Sequence, residues 1–291
     1  MNRTDPPSST LRLTEHLRLS KHHGAGNDFL VLVDLDDRSP LDPALVRALC
    51  DRRSGVGADG VIRILAGTDG ADLTMDLVNA DGGTAEMSGN GMRCLAQAAV
   101  VAGLVEPPVF TVATLGGVRT VEYRAGPVGA SVDLGPAWAS VDMGVAHLGP
   151  EWPPLVPGGR GRLVDMGNPH LVLLGEDVGG IDMAELGTKL QAEFPDGVNV
   201  ECIALGPGPD ALTLRVWERG VGETLACGTG SAASAAAAHD WGLVGPLVDV
   251  HNPGGMLQVE LRPDAVVLSG PVASVADIEV DPVALLAGGR G

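Results

Sequence analysis

Two short, polar, glycine-rich stretches of this chain carry residue types that could do chemistry: Ser88-Gly89-Asn90-Gly91 and Cys227-Gly228-Thr229-Gly230. Each runs into an Ala-rich helical pattern, Leu95 to Ala102 after the first and Ser231 to His239 after the second. A helix start leaves backbone N–H groups without intrahelical acceptors and carries the positive end of the helix dipole. It therefore holds an anion, such as a substrate carboxylate, without needing a Lys or Arg. Laying Ser88 on Cys227 brings Gly89 onto Gly228 and Gly91 onto Gly230, with Asn79 and Glu218 at one shared offset upstream. The copies lie about 140 residues apart, close to one domain's length. Two helix N-termini, each with a small nucleophile-type side chain at its mouth, point to a ligand held between two related halves.

The two mouths differ in acidity. A helix N-terminus favours the thiolate, so Cys227 is expected to be drawn from the ordinary thiol pKa of about 8.5 towards neutrality. The Ser88 hydroxyl is a much weaker acid, fit to donate or accept a hydrogen bond, or to relay a proton if an adjacent base activates it. Glu86 is near in sequence. The surroundings of Ser88, Glu86-Met87-Ser88-Gly89-Asn90, lack the Gly-x-Ser-x-Gly elbow of a serine hydrolase. Cys94 falls nearly two helical turns further in and reads as core. Cys50, Cys94, Cys202 and Cys227 show neither metal-ligand nor C-x-x-C spacing, so no metal and no disulfide framework are expected, and the default is a reducing cytoplasm.

Bulk properties narrow the partners. The 291 residues carry 19 basic and 37 acidic side chains, a formal net charge of −18, the wrong sign for a nucleic-acid binder. No apolar run is long enough for a membrane span, and no signal-peptide pattern opens the chain. Three Phe and one Tyr beside 42 Gly and 21 Pro imply an aliphatic core with many tight turns.

The elements that must position the two loops read as short strands with one strong helix per half. Leu17 to Val33 is two strands broken by the turn around Gly26-Asn27-Asp28-Phe29. Pro43 to Cys50 is a helix capped by Asp42. Val61 to Leu65 and Leu73 to Val78 are strands, and Val109 to Thr114 with Gly117 to Tyr123 form a hairpin. Residues 1–16 read as an arm, Gly126-Pro127 as a junction, and Val128 to Leu134 as the strand opening the second half. Leu148 to Gly161 reads as a Pro/Gly-rich surface segment. Arg162 to Leu174 is a strand broken at Gly167-Asn168-Pro169-His170, and Ile181 to Phe194 is a helix. Gly197-Val198-Asn199 follows Gly57-Ala58-Asp59 at about one repeat length, supporting an internal duplication. Leu212 to Val216, Leu257 to Leu261 and Ala265 to Leu268 are the late strands. The pattern gives an α/β (α+β type) fold with mostly antiparallel sheet wrapped around a helix. The expected division is a first half of residues 17–126 with about 272–291, and a second half of 127–271.

Lys21 to Phe29, Asn79-Ala80-Asp81-Gly82, Gly89 to Cys94, Gly167-Asn168-Pro169-His170, Gly197-Val198-Asn199, Glu218-Arg219-Gly220 and Ala226 to Gly230 together resemble the diaminopimelate epimerase family. The resemblance implies a cofactor-independent isomerase that interconverts LL- and meso-diaminopimelate, a homodimer of two pseudo-symmetric domains, each a mixed sheet around a central helix. It implies a two-base reaction with an acid/base group on each face of the α-carbon. By this resemblance Cys227 is one such group, Ser88 occupies the position of the other, and His170 and Glu218 orient the substrate and tune the thiols. Gly89, Asn90, Gly228 and Thr229 would present N–H groups to the reacting carboxylate. Asn27, Asn79, Asn168, Asn199 and Arg219 would hold the substrate, including its distal end. Two departures stand out: Ser88 replaces a cysteine, and Gly60 stands where some members have a substrate-contacting Gln. The first leaves three readings open: a working epimerase that uses Ser88, a Cys-to-Ser variant, or a same-fold relative that binds a diamino acid and is diverted from epimerisation.

Overall fold

The computed structural model describes residues 16–125, 137–156 and 158–288. The expected junction at Gly126-Pro127, the strand Val128 to Leu134 and the arm up to residue 15 lie outside the described residues.

The first half runs β1 (Leu17–Gly24), β2 (Asn27–Val33), α1 (Pro43–Cys50), β3 (Gly60–Ala66), β4 (Leu73–Asn79), α2 (Gly89–Val101), β5 (Val109–Thr114), β6 (Gly117–Arg124) and β7 (Ala137–Asp142). The second runs β8 (His147–Trp152), β9 (Arg160–Asp165), β10 (Pro169–Leu174), α3 (Met183–Gln191), β11 (Asn199–Leu205), β12 (Ala211–Glu218), β13 (Gly222–Thr224), α4 (Gly228–Asp240), β14 (Leu247–Asn252) and β15 (Gly255–Leu261). A long strand, β16 (Val266–Val280), and a short helix, α5 (Pro282–Gly288), follow.

Strands pair in the order β1-β2-β3-β4-β5-β6-β7-β16, and β16 returns to β1, closing an eight-stranded barrel. From the other edge of β16 the sheet continues through β15, β14, β12, β11, β10 and β9 to β8. The 15-residue β16 serves both parts: Val267 to Val272 pairs with β7, and Ala273 to Val280 with β1. The duplication extends to the direction of each ladder. The parallel pairs β2–β3 and β4–β5 recur as β10–β11 and β12–β14. The antiparallel pairs β1–β2 and β3–β4 recur as β9–β10 and β11–β12.

Each half wraps its sheet around one helix. All residues from Gly89 to Ala99 in α2 and from Gly228 to Ala238 in α4 are buried. A helix buried on every side has no solvent face to present, and sheet surrounds it instead; in α2 the buried Asn90, Arg93 and Gln97 are met by hydrogen-bond partners. Alanine and glycine along both helices let the strands approach closely. The helices begin earlier than their apolar patterns suggest, because Ser88 and Cys227 are themselves the N-caps and the loop glycines form the first turn.

Other boundaries also moved. The segment Leu148 to Gly161 contains β8 and the start of β9. As an edge strand β8 tolerates Pro150 and solvent-facing side chains, which removes the usual strand signature. Strands β7 and β14 and helix α5 were not expected, and the strand at Ala265 to Leu268 runs on to Val280. Among the described residues no helix is long and apolar enough to cross a membrane.

A charged cluster fixes the β1–β2 turn that carries Asn27. Lys21 Nζ lies 2.8 Å from Asp28 Oδ2, and Arg52 Nη2 lies 2.7 Å from both Asp28 Oδ1 and Asp59 Oδ1. Asp59 Oδ2 accepts hydrogen bonds from Asn27 Nδ2 at 2.7 Å and from the Asp28 N–H at 3.1 Å. Burial pushes the Asp28 carboxyl up, but the bonds from Arg52 and Lys21 outweigh it and hold the group below its ordinary value. A depressed carboxylate contributes stability that is present above its unfolded pKa of about 3.9 and is lost as pH falls through the folded value. Asp28→Asn should therefore destabilise the protein by about 1–3 kcal/mol at neutral pH. Denaturant titrations should show that deficit shrinking below about pH 4, and a deficit independent of pH would remove Asp28 from this role.

Candidate active site

The two helix N-termini meet at the floor of one cavity of about 300 Å³, whose wall includes Ser88, Gly89, Asn90, Cys227, Gly228 and Thr229. Their approach leaves no room for side chains. A Cβ on Gly228 would lie 3.2 Å from Gly89 Cα and 2.8 Å from Leu268 Cδ2, and a Cβ on Gly89 would lie 2.6 Å from the same Leu268 methyl. Leu268 belongs to β16, so the strand shared by both halves also wedges the two helix starts.

Ser88 and Cys227 have equivalent capping geometry. Gly91 N–H donates to Ser88 Oγ at 3.1 Å, and Gly230 N–H donates to Cys227 Sγ at 3.4 Å. The backbone N–H groups of Gly89, Asn90, Gly228 and Thr229 precede the first intrahelical donors, leaving them without α-helical acceptors. They form an anion-binding floor. The Asn90 side chain is otherwise occupied: Nδ2 donates to Asn27 Oδ1 at 3.1 Å and to Ala226 O at 3.0 Å, and Oδ1 accepts from Arg93 Nη2 at 2.8 Å. Asn90 thus ties α2 to the loop before Cys227.

The walls separate the expected residues into two groups. Asn79, Asn168, Arg219 and Glu218 line the cavity, and so do Asn27 and Asn199. The polar atoms of the last two are already engaged by protein. Asn27 bonds Asp59 and Asn90. Asn199 Nδ2 donates to Pro169 O at 3.0 Å, and its Oδ1 accepts from Arg219 N–H at 2.9 Å. His170 is not on the wall. It is fully buried behind it, with Nδ1 2.7 Å from Glu201 Oε1 and Nε2 2.9 Å from Asn168 Oδ1. His170, expected to orient the substrate and tune the thiols, thus stands behind Asn168 and not on the cavity wall.

Cys227 departs from expectation more sharply. Burial, followed by the nearby Glu218 and Glu201, raises its thiol well above the ordinary value, against weaker help from Thr229 and the Gly230 N–H. A capping N–H donates only one hydrogen bond, whereas desolvation and two carboxylates all act against the anion. The resting group is a thiol. Glu218 is itself raised by burial, opposed by hydrogen bonds from Thr224 and Cys227. Cys94, by contrast, matches its reading as core: it is fully buried in α2, and burial pushes its thiol up to about 12.

Sequence reasoning passed over Asp59, Arg119 and Thr224, which line the cavity, and Glu201, which lies behind it. Asp59 had a usable signal, because it occupies the offset of Asn199 in the duplicated Gly-x-Asx turn. Arg119 had none, since its position on the wall depends on how the β5–β6 hairpin folds over α2.

Known structures share this architecture. A hydroxyproline epimerase from Agrobacterium vitis, solved with bound trans-4-hydroxy-L-proline, superposes with a TM-score of 0.68 at 19% identity, covering 92% of this chain and 91% of that one. A PhzF-family phenazine biosynthesis protein from Bacillus anthracis superposes with a TM-score of 0.69 at 13% identity, covering 92% and 99%. This chain has the fold of these structures, and its cavity lies at the meeting point of its two central helices.

Sequence carries the assignment further. The family profile described as diaminopimelate epimerase matches residues 19–139 and 162–275. The diaminopimelate epimerase of Corynebacterium glutamicum is 40% identical over 276 residues, covering 90% of this chain and 97% of the relative. That of Mycolicibacterium smegmatis is 41% identical over 292 residues, covering 90% and 96%. This chain belongs to the diaminopimelate epimerase family.

Because Cys227 rests as a thiol, its alkylation by iodoacetamide in the free protein should be slow at neutral pH. The rate should keep climbing as pH passes the ordinary thiol range near 8.5. Mass spectrometry of the Cys227 peptide reads the rate, and a plateau below that range would contradict a raised thiol.

Proposed function

We propose that this chain interconverts LL- and meso-2,6-diaminopimelate by moving the α-proton between Cys227 and the opposite mouth at Ser88. The observation that carries this reading is the pair of equivalent N-caps facing one anion-binding floor. The substrate's α-carboxylate sits on the N–H groups of Gly89, Asn90, Gly228 and Thr229, which also stabilise the charge that develops as the proton leaves. Asn79, Asn168 and Arg219 hold the distal amino-acid end, while Asn27 and Asn199 brace the loops that present them. Glu218 faces the substrate ammonium. Pairing with that cation removes part of the negative potential that raises Cys227, so substrate binding lowers the thiol's pKa and its proton is released to solvent, leaving the thiolate that free protein lacks.

Ser88 limits the second face. Its hydroxyl returns a proton only with help from a neighbouring base or water, and Glu86 lines the same wall. Family membership supports the rest of the reading: no cofactor takes part, the active form is a homodimer, and the protein works in the cytoplasm in lysine and peptidoglycan precursor synthesis. The expected division of 17–126 with about 272–291 against 127–271 shifts with the sheet: β1 to β7 with β16 and α5 form one body and β8 to β15 the other, so that closure brings Ser88 and Cys227 onto the substrate together. The competing reading, a Cys-to-Ser variant or relative impaired in turnover, is favoured by the same serine.

Exchange of the α-proton in deuterium oxide separates these. With Cys227 as the one competent base, one diaminopimelate isomer should exchange and the other should not. Ser88→Cys should exchange both and raise turnover by on the order of 100-fold. Equal exchange of both isomers by the Ser88 protein would make Ser88 a full partner, and absence of exchange in both proteins would overturn the epimerase reading.

A further inference from the structure

The two mouths are tied to each other asymmetrically. Asn90 Nδ2, in the first turn of α2, donates at 3.0 Å to Ala226 O, the carbonyl immediately before Cys227. At the matching offset in α4 stands Thr229, whose hydroxyl lies 3.5 Å from Cys227 Sγ inside its own half. Further along, Arg93 of α2 corresponds to Ala232 of α4. The second helix is buried just as completely with an alanine there, so the fold does not need an arginine inside a central helix.

Arg93 is fully buried. Its Nη2 donates to Asn90 Oδ1 at 2.8 Å, Nη1 to Gly89 O at 3.3 Å and Nε to Pro271 O at 3.4 Å. No carboxylate pairs with the guanidinium among the described residues, and burial lowers the group to about 10, which leaves it charged at neutral pH. A buried cation without a counter-charge is costly to the fold, so stability does not account for it. Both flanking strands make room: a Cβ on Gly24 of β1 would stand 2.7 Å from Nη2, and one on Gly270 of β16 would stand 3.2 Å from Cζ. The side chain is held in one orientation between its helix and these two strands.

The Asn90 amide is oriented by its neighbours. A guanidinium only donates and a backbone carbonyl only accepts, so the amide oxygen must face Arg93 and the nitrogen Ala226. A bond from a charged donor is stronger than a neutral one, which makes the buried end of this arm its firm end. The other end holds the loop between β13 and α4 at the residue that leads into Cys227.

We infer that Arg93 is a positioning residue for Cys227, a guanidinium buried in the first half that holds, through the Asn90 side chain, the backbone presenting the thiol of the second half. The inference rests on the proposed function for the reaction that Cys227 performs. Arg93 itself touches neither substrate nor reacting atoms. Without the guanidinium, Asn90 Oδ1 is buried with no donor, the amide turns to another partner, and Ala226 O is released. The loss is in the aim of the thiol and not in affinity, because the N–H groups of the anion-binding floor remain on the backbone.

The test is a double-mutant cycle on the full chain, with Arg93→Met, Asn90→Ala and the pair. Each single change should slow α-proton exchange of diaminopimelate about 10-fold with KM nearly unchanged. The pair should be no slower than the slower single variant, since both changes break one arm. A loss of about 100-fold in the pair, the product of independent effects, would overturn the inference. Alkylation of Cys227 in the free protein, read by mass spectrometry, should quicken about 10-fold in both single variants, while Cys94, buried in the same helix as Arg93, stays protected. Cys94 opening in step with Cys227 would assign Arg93 to global stability and sink the idea, as would unchanged exchange in a folded Arg93→Met. Should Arg93→Met not fold, Asn90→Ala must still open Cys227, and a closed thiol there overturns the inference. Failure of the epimerase reading looks different: no protein of the set, the unmodified one included, exchanges the α-proton, and alkylation alone then decides the role of Arg93.

Discussion

Two helix N-termini brought almost into contact is the constraint on which the rest of this structure depends. Facing like ends of helix dipoles repel and leave their first N–H groups unsatisfied. The arrangement persists because other interactions hold it. Gly89 and Gly228 remove the side chains that would keep the helices apart, and Leu268 packs against both. Asn90 reaches across to Ala226 O. The N-cap side chains each absorb one N–H, and those left over form a place where an anion is the stabilising guest. The binding site is thus the unsatisfied remainder of how the two halves pack.

That packing is maintained by β16, which completes the first barrel through β1 and β7 and carries the second sheet through β15. One strand common to both sheets couples any displacement of the halves to the wedge at Leu268. Helix α4 packs almost entirely through alanine, glycine and serine, while α2 adds the buried Arg93, which donates to Gly89 O, Asn90 Oδ1 and Pro271 O. Their small residues let the surrounding strands approach closely, and in the first half those strands close into a barrel around α2.

The symmetry is broken where chemistry differs. Around Cys227 the walls supply Glu218 and, behind them, the Glu201–His170 pair, while the Ser88 half has Phe29 and Val61 in the latter positions. A thiol set among carboxylates rests protonated and waits for a cation. A hydroxyl is a much weaker acid than a thiol and has no comparable trigger, although Asp59 and Glu86 line its side of the cavity. The two mouths share a backbone geometry and differ in how each can gain or lose a proton.

Much of this was written in local sequence. The spacing of Ser88-Gly-Asn-Gly and Cys227-Gly-Thr-Gly, the repeated Asn27 and Asn168 turns, the Asp42-capped helix and the family itself all follow from short-range patterns, because capping and glycine turns are decided by neighbours in the chain. Strands whose pattern depends on their place in a sheet were lost: β8 because an edge strand tolerates proline and polar faces, and β14 and the length of β16 because their partners are distant in sequence. The protonation of Cys227 was misjudged for the same reason. A helix start is visible in sequence, but burial and the approach of Glu201 from β11 and Glu218 from β12 are not. Residue types and offsets determined which groups form the site, and only the tertiary structure decided which of them face the cavity and which stand behind it, since burial and electrostatics are properties of the assembled walls.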